Sequence, residues 1–317
     1  MRICIIGCGA IGSLYAAHLG QLEDVEVWAY DLDQAHVDAI NEHGLRLTGL
    51  SDITAPVNAR TDPTRIPPCE FGIIATKTMY TRSAIEATAN LFQDGAVCSV
   101  QNGVGNEEIL AEYVPRVILG TIFPAGHIVE PGVVSQDAGG KTWIGPFPPR
   151  PATMEEVRRL ADALNRSGME CIAMEDARGA QWTKLIFNAA SNAMGALTRL
   201  PHGVACDHPD VRRLMSGIVA EGKAVAEALG ITLDSDPEDL LDYGREKAYY
   251  HPPSMLQDVL ARRKTEIDAL NGAIARLGRE VGVPCPLNEA CTALIKGLEH
   301  SWEVEIPGQQ DAHADRP

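Results

Sequence analysis

The chain opens on a short apolar run, Arg2-Ile-Cys-Ile-Ile6, that empties directly into Gly7-Cys8-Gly9-Ala10-Ile11-Gly12. A run of that length and composition reads as a buried β-strand, and the alanine-rich stretch from Ser13 to Leu19 reads as the helix that follows it. G-x-G-x-x-G recurs by chance in unrelated chains, but a strand before it and a helix after it restrict what it can build. Gly7 allows the tight turn, Gly9 lets the backbone approach a pyrophosphate, and Gly12 lets helix and strand pack closely. The amides at the helix N-terminus then face the phosphates. Gly7, Cys8, Gly9, Ala10, Ile11 and Gly12 are therefore expected to bind a dinucleotide, NAD or NADP.

A chain of 317 residues can hold two domains and bury a substantial core. Its 27 basic and 43 acidic residues give a net charge of −16, which argues against nucleic acid or an anionic membrane surface as a partner. An anionic substrate would then need a local basic site. The sequence has no long apolar span, and it begins with a core strand in place of a cleavable leader, so a cytoplasmic location is expected. Eight cysteines form no C-x-x-C pair and sit mostly in apolar surroundings, which reads as small buried hydrophobes. The histidines lack ligand-like spacing, and no metal is expected.

Strands and helices alternate through the first half. Val25–Tyr30, Phe71–Thr76, Ala96–Val100, Val117–Leu119, Val133–Ser135 and Trp143–Ile144 read as strands, and Gln34–Glu42 as a helix ended by Gly44. Repeated β-α-β units predict a parallel, doubly wound sheet with ligand at the carboxyl ends of its strands. Thr76-Lys77 and Asn102 fall at such ends. Asp31 closes the second strand about twenty residues beyond the glycines, where a carboxylate accepts from ribose hydroxyls and repels a 2′-phosphate. No Arg or Lys follows until Arg46. NAD(H) is accordingly favoured over NADP(H), with a simple turn or helix-cap role for Asp31 as the alternative.

Beyond about Asp176 the strand pattern fades and helical periodicity takes over. Lys184, Asn188 and Asn192 recur every four residues along one stripe, in the apolar company of Trp182, Leu185, Ile186, Phe187 and Met194. A second long helix is expected from Ser254, after Pro252-Pro253, to about Val281, with Ser254 and Gln257 as its capping box. On periodicity alone Glu266 reads more readily as a surface salt-bridge partner than as a catalytic carboxylate, with Arg262, Arg263 and Lys264 nearby.

Over nearly its whole length the chain resembles the ketopantoate reductase family. The resemblance rests on Gly7–Gly12, Thr76-Lys77, Gln101-Asn102-Gly-Val-Gly105 and Trp182-Thr-Lys184-Leu-Ile-Phe-Asn188-Ala-Ala-Ser-Asn192. It continues through Ser254-Met-Leu-Gln-Asp258, Thr265-Glu266-Ile-Asp268 and Asn271-Gly272. It implies an α/β Rossmann-like domain over residues 1–175, an all-α substrate or dimerisation domain over 176–302, and an active site in the cleft between them. It further implies Lys184 as general acid to the ketone oxygen and Glu266 as the carboxylate that holds the substrate hydroxyl and tunes Lys184. Asn102 would position the nicotinamide ribose and the substrate, and Lys77 would line the nicotinamide end. Asn188 and Asn192 would meet substrate polar groups, and Ser254 its carboxylate. Family precedent is NADPH, against which Tyr30-Asp31-Leu32-Asp33 stands as a departure.

The expected activity is reduction of a small branched 2-oxo acid by a nicotinamide cofactor, with 2-dehydropantoate to (R)-pantoate in pantothenate biosynthesis leading. An NAD-linked dehydrogenase of another 2-hydroxy acid is the alternative, and a non-catalytic NAD(P)-binding sensor the alternative from a different class. The apolar helices admit a homodimer. The segment 303–317 lacks an apolar period and reads as a disordered tail.

Overall fold

The computed structural model describes residues 1–304, so most of the expected tail lies outside the described residues. The chain divides into two compact units, Met1–Leu185 with Gly230–Ser235, and Ile186–Leu229 with the remainder from Asp236.

In the first unit the strands are β1 (Arg2–Ile6), β2 (Glu26–Tyr30), β3 (Leu45–Gly49), β4 (Ile53–Ala55), β5 (Asn58–Arg60) and β6 (Phe71–Ile74). They continue as β7 (Ala96–Ser99), β8 (Val117–Ile122), β9 (Ala125–Glu130), β10 (Val133–Ala138), β11 (Thr142–Pro146) and β12 (Cys171–Ala173). Its helices are α1 (Ala10–Leu19), α2 (Gln34–His43), α3 (Thr81–Thr88), α4 (Asn106–Tyr113) and α5 (Met154–Arg166). An eight-stranded sheet runs in the order β12-β11-β8-β7-β6-β1-β2-β5. From β8 to β5 all neighbours are parallel.

The central strands are nearly all apolar because both faces are covered. Along β1, Ile3 and Ile5 enter the core that includes α1 and α5, while Cys4 and Ile6 enter the one that includes α3 and α4. Helix α1 carries apolar side chains around almost its whole circumference, and Gly12 to Leu19 are all buried. Its core is shared with Leu45, Leu47 and Val134 of a second sheet, of order β4-β3-β10-β9.

That second sheet corrects the expected topology. Val133–Ser135 belongs to it, pairing with β3 and β9, and not to the doubly wound sheet. Trp143–Ile144 does join the large sheet, but antiparallel to β8. An antiparallel neighbour needs no crossover helix, and residues 123–141 between β8 and β11 instead carry β9 and β10 of the smaller sheet.

The second unit is helical. Helix α6 (Arg178–Thr198) starts in the first unit and continues into it. It is followed by α7 (His202–Asp207), α8 (Pro209–Ala228), α9 (Pro237–Lys247), α10 (Ser254–Leu260), α11 (Asn271–Val281) and α12 (Pro286–Ser301). Gly222 of α8 lets Ile186 of α6 approach, since a Cβ there would lie 2.8 Å from its Cγ1. Asn271 Nδ2 donates to Ala189 O and Asn288 Oδ1, both at 3.1 Å, tying α11 to α6 and α12.

The expected continuous helix from Ser254 to Val281 is two helices. Arg262 takes a left-handed conformation, φ 49°, and Arg263 N donates to Asp258 O at 2.8 Å, which turns the chain. Thr265 then donates through N and Oγ1 to Glu299 of α12, at 2.8 and 2.6 Å. These tertiary bonds override the apolar period, which runs on through the break. The expected capping box is also absent. Helix α10 begins at Ser254 itself, Gln257 Nε2 turns to Pro252 O, and the first turn is capped from elsewhere.

Candidate active site

The Gly loop follows β1 with each glycine under a separate constraint. Gly7 lies at φ +85°, and a Cβ on it would meet Thr76 at 2.5 Å. A Cβ on Gly12 would sit 2.0 Å from Gly7 O, so helix and loop touch only because it has none. A Cβ on Gly9 would meet nothing within 4 Å, which leaves open space at the α1 N-terminus. There the first-turn amides of α1 have no intrahelical acceptor to use. That open space at a helix N-terminus is compatible with a pyrophosphate, which Gly7 to Gly12 would hold.

The loop is fastened on two sides. Gly7 N donates to Tyr30 O at the end of β2. Ser13 Oγ donates to Cys8 O at 2.8 Å and lies 3.4 Å from His36 Nε2, while Gly132 N donates to His36 Nδ1 at 3.0 Å. The buried Cys8 thiol is pushed up to about 12 by burial, so it stays un-ionised and packs as a small apolar side chain.

Asp31 follows β2 and its Oδ1 accepts from Asp33 N at 2.9 Å. Asp33 in turn caps α2 through His36 N. The turn role and the helix cap are thus divided between two aspartates. Lys77 opens the short turn after β6, and Asn102 follows β7, so both fall at carboxyl ends of the two strands that follow β1 on one side of the sheet.

Lys184 Nζ donates to Asn102 Oδ1 at 2.9 Å and stands 5.6 Å from the Phe123 ring centroid. An ammonium over an aromatic face gains electrostatic stabilisation where water is scarce. Phe123 packs edge-on against Trp143, with centroids 5.7 Å apart. Neither aromatic follows from motif spacing. Both come from the ends of antiparallel partners β8 and β11, so the signal is a pairing and not a period.

In the helical unit Asn188 and Asn192 are buried on α6, Ser254 is exposed at the start of α10, and Glu266 is buried in the turn before α11. Asn192 Oδ1 accepts from Ser254 Oγ and from Met255 N, each at 3.0 Å. It therefore supplies the cap that α10 lacks locally. Arg263 Nε pairs with Asp258 at 3.1 Å, so part of the basic run beside Glu266 answers that carboxylate instead.

A glycine loop at a helix N-terminus on a doubly wound sheet defines the class of dinucleotide-binding proteins. The family models for "Ketopantoate reductase PanE/ApbA" and its C-terminal part match residues 3–149 and 176–299. The chain belongs to the ketopantoate reductase family, which is a family of nicotinamide-dependent oxidoreductases. It is 35% identical to a Pyrococcus horikoshii 2-dehydropantoate 2-reductase over 300 residues, 94% of this chain and 98% of that protein. A PanE/ApbA family ketopantoate reductase from Ralstonia eutropha JMP134 superposes with a TM-score of 0.86 at 30% identity, covering 96% of this chain and all 100% of the other. A D-mandelate dehydrogenase solved with NADH and anilino(oxo)acetate also reaches a TM-score of 0.86, at 26% identity, with 96% and 100% covered. Among the described residues no helix is long and apolar enough to cross a membrane.

Proposed function

We propose that this chain reduces a small branched 2-oxo acid, 2-dehydropantoate before others, to the corresponding 2-hydroxy acid. The observation that carries the reading is the Lys184–Asn102 pair at the carboxyl end of β7, in the same unit as the Gly loop. Reduced nicotinamide supplies the hydride when bound. Lys184 is then a cation able to stabilise the developing alkoxide and to deliver its Nζ proton to that oxygen. Asn102 holds the ammonium by its side-chain oxygen, and the Phe123 ring keeps water from one side of it. The Glu266 carboxylate suits a substrate hydroxyl, while the Ser254 hydroxyl and the Asn188 amide suit a substrate carboxylate. Asn192, with its oxygen already committed to α10, has only its amide N–H groups to offer.

For the cofactor we favour NADH. The Asp31 carboxylate suits ribose hydroxyls and opposes a 2′-phosphate. The NADH-bound mandelate dehydrogenase relative is in keeping with this, and it also favours a second reading, an NAD-linked dehydrogenase of a different 2-hydroxy acid. The apolar helical unit is suited to a homodimer.

Steady-state oxidation of NADH and NADPH with 2-dehydropantoate, against a panel of other 2-oxo acids, tests the substrate and the cofactor. The expected result is rapid turnover of 2-dehydropantoate with NADH. A kcat/KM for another oxo acid far above that for 2-dehydropantoate would replace the substrate, and faster NADPH turnover would replace the cofactor.

A further inference from the structure

Phe123 is brought to Lys184 by its backbone. It follows β8 directly, and its N donates to Lys141 O at 3.0 Å. Gly140 backs it so closely that a Cβ there would lie 2.7 Å from the Phe123 Cβ. The base of the ring is thereby fixed, and the edge-on contact with Trp143 bounds it further. Trp143 is itself held in β11, paired with Thr121 of β8. Phe123, Trp143, Asn102 and Lys184 are all half-buried, and all belong to the first unit. Two large apolar side chains are thus left partly open beside an ammonium that Asn102 holds.

A ketone oxygen that accepts from Lys184 Nζ stands about 2.9 Å from it. The two carbons bonded to the ketone carbon, the carboxylate carbon and C3, then lie about 5 Å from Nζ. The Phe123 ring centroid lies 5.6 Å from the same nitrogen. A substituent of the ketone carbon can therefore reach the ring, and the chemistry of the ring decides which one does. Its π face is negative, which suits the Lys184 ammonium and opposes a carboxylate. A carboxylate would also have to shed water to lie there. An alkyl group meets neither cost and gains by leaving water.

We propose that Phe123 is a specificity-determining residue, whose ring, extended by Trp143, turns the substrate carboxylate away and packs against methyl groups on C3. This rests on the reading of Lys184 as the group that meets the ketone oxygen. The ring then has two effects that substrates can separate. Its hold on the ammonium acts on every oxo acid alike. Its packing acts only on acids that carry apolar branches at C3.

The test compares kcat/KM for 2-dehydropantoate with that for 4-hydroxy-2-oxobutanoate, which differs only in lacking the two C3 methyl groups. Wild type and Phe123→Ala are measured as full chains, with NADH and with NADPH. The wild type is expected to favour 2-dehydropantoate by about tenfold or more, and Phe123→Ala to lose about tenfold of that ratio. An equal loss on both acids, which a nicotinamide contact or a disturbed Lys184 gives, overturns the proposal. A wild type indifferent to the methyl groups overturns it as well. If Phe123→Ala does not fold, Phe123→Leu takes its place. It keeps an apolar side chain without the ring, so a fall of about threefold in the ratio is expected, and an unmoved ratio refutes the contact. A wild type that turns over no oxo acid with either cofactor overturns the reductase reading, and the specificity role with it. Turnover with an unmoved ratio overturns the specificity role alone.

Discussion

Replacing Gly9 with alanine separates cofactor binding from folding. Gly9 sits at φ −67°, ψ −159°, a conformation open to alanine, and its added Cβ would meet nothing within 4 Å. The folded chain loses only a favourable N-cap residue, at most about 1 kcal/mol. In a protein of this size that lowers the thermal midpoint by at most about 2 °C. The same methyl projects into the space from which a pyrophosphate would reach the first-turn amides of α1. One lost N–H bond to a charged oxygen costs about 1.5–3 kcal/mol, or roughly ten- to a hundredfold in Kd. Calorimetry gives the midpoint and NADH fluorescence titration gives the affinity. Gly12→Ala is the contrasting control. Its Cβ would lie 2.0 Å from Gly7 O, so α1 must move, and stability falls by about 1–3 kcal/mol or more. Gly9→Ala binding NADH and NADPH within about twofold of wild type would refute the assignment of this loop as the phosphate site.

Three other outcomes are expected. Lys184→Ala should lower kcat by about two to four orders of magnitude while leaving the dinucleotide Kd nearly unchanged, and stopped-flow with saturating cofactor reads the split. Asn192→Ala should cost about 1–2 kcal/mol in chemical denaturation, because Met255 N and Ser254 Oγ lose their common acceptor, whether or not substrate binding changes. His202 accepts at Nδ1 from Ser191 Oγ at 2.7 Å and donates from Nε2 to Leu241 O at 3.0 Å, and burial holds its pKa below the usual 6.5. A depressed histidine stabilises fully above its unfolded value and loses that contribution as pH falls through the folded one. The thermal-midpoint gap between wild type and His202→Gln should therefore narrow on acidification below about pH 6.5.

What was legible in the sequence followed the local periods. The Gly loop, α2 with its Gly44 end, and the strands Phe71–Ile74 and Ala96–Ser99 all sit where alternating apolar runs and turn residues put them. The stripe of Lys184, Asn188 and Asn192 does run along one continuous helix. The failures share one physical cause, which is hydrogen bonding between distant segments. Thr265 reaching Glu299 breaks a helix whose apolar period is intact, and the pairing of β10 with β3 removes an ordinary-looking strand to another sheet. Asn192 reads as a ligand residue, yet its oxygen serves a helix start far along the chain. Glu107 and Gln181 share no periodic signal, because their hydrogen bond joins residues 74 positions apart.

The cofactor end shows the same limit most sharply. Sequence order offers Asp31 and no cation until Arg46, from which a dislike of 2′-phosphate follows. In the sheet, β5 lies beside β2 with Tyr30 opposite Arg60, and Asp31 N donates to Arg60 O at 3.2 Å. The Arg60 guanidinium lies 5.2 Å over the Trp28 ring and donates to Ala59 O and Asn41 Oδ1. A carboxylate already holding a backbone amide and an arginine from the neighbouring strand thus belong to backbone-bonded residues at one sheet edge. If the adenosine ribose lies there, preference between its hydroxyl and a phosphate would depend on the difference between two opposing fields, each weakened by its local bonds. Chain order reveals only the first of those fields, because an edge strand of three residues has no period from which its neighbour could be read.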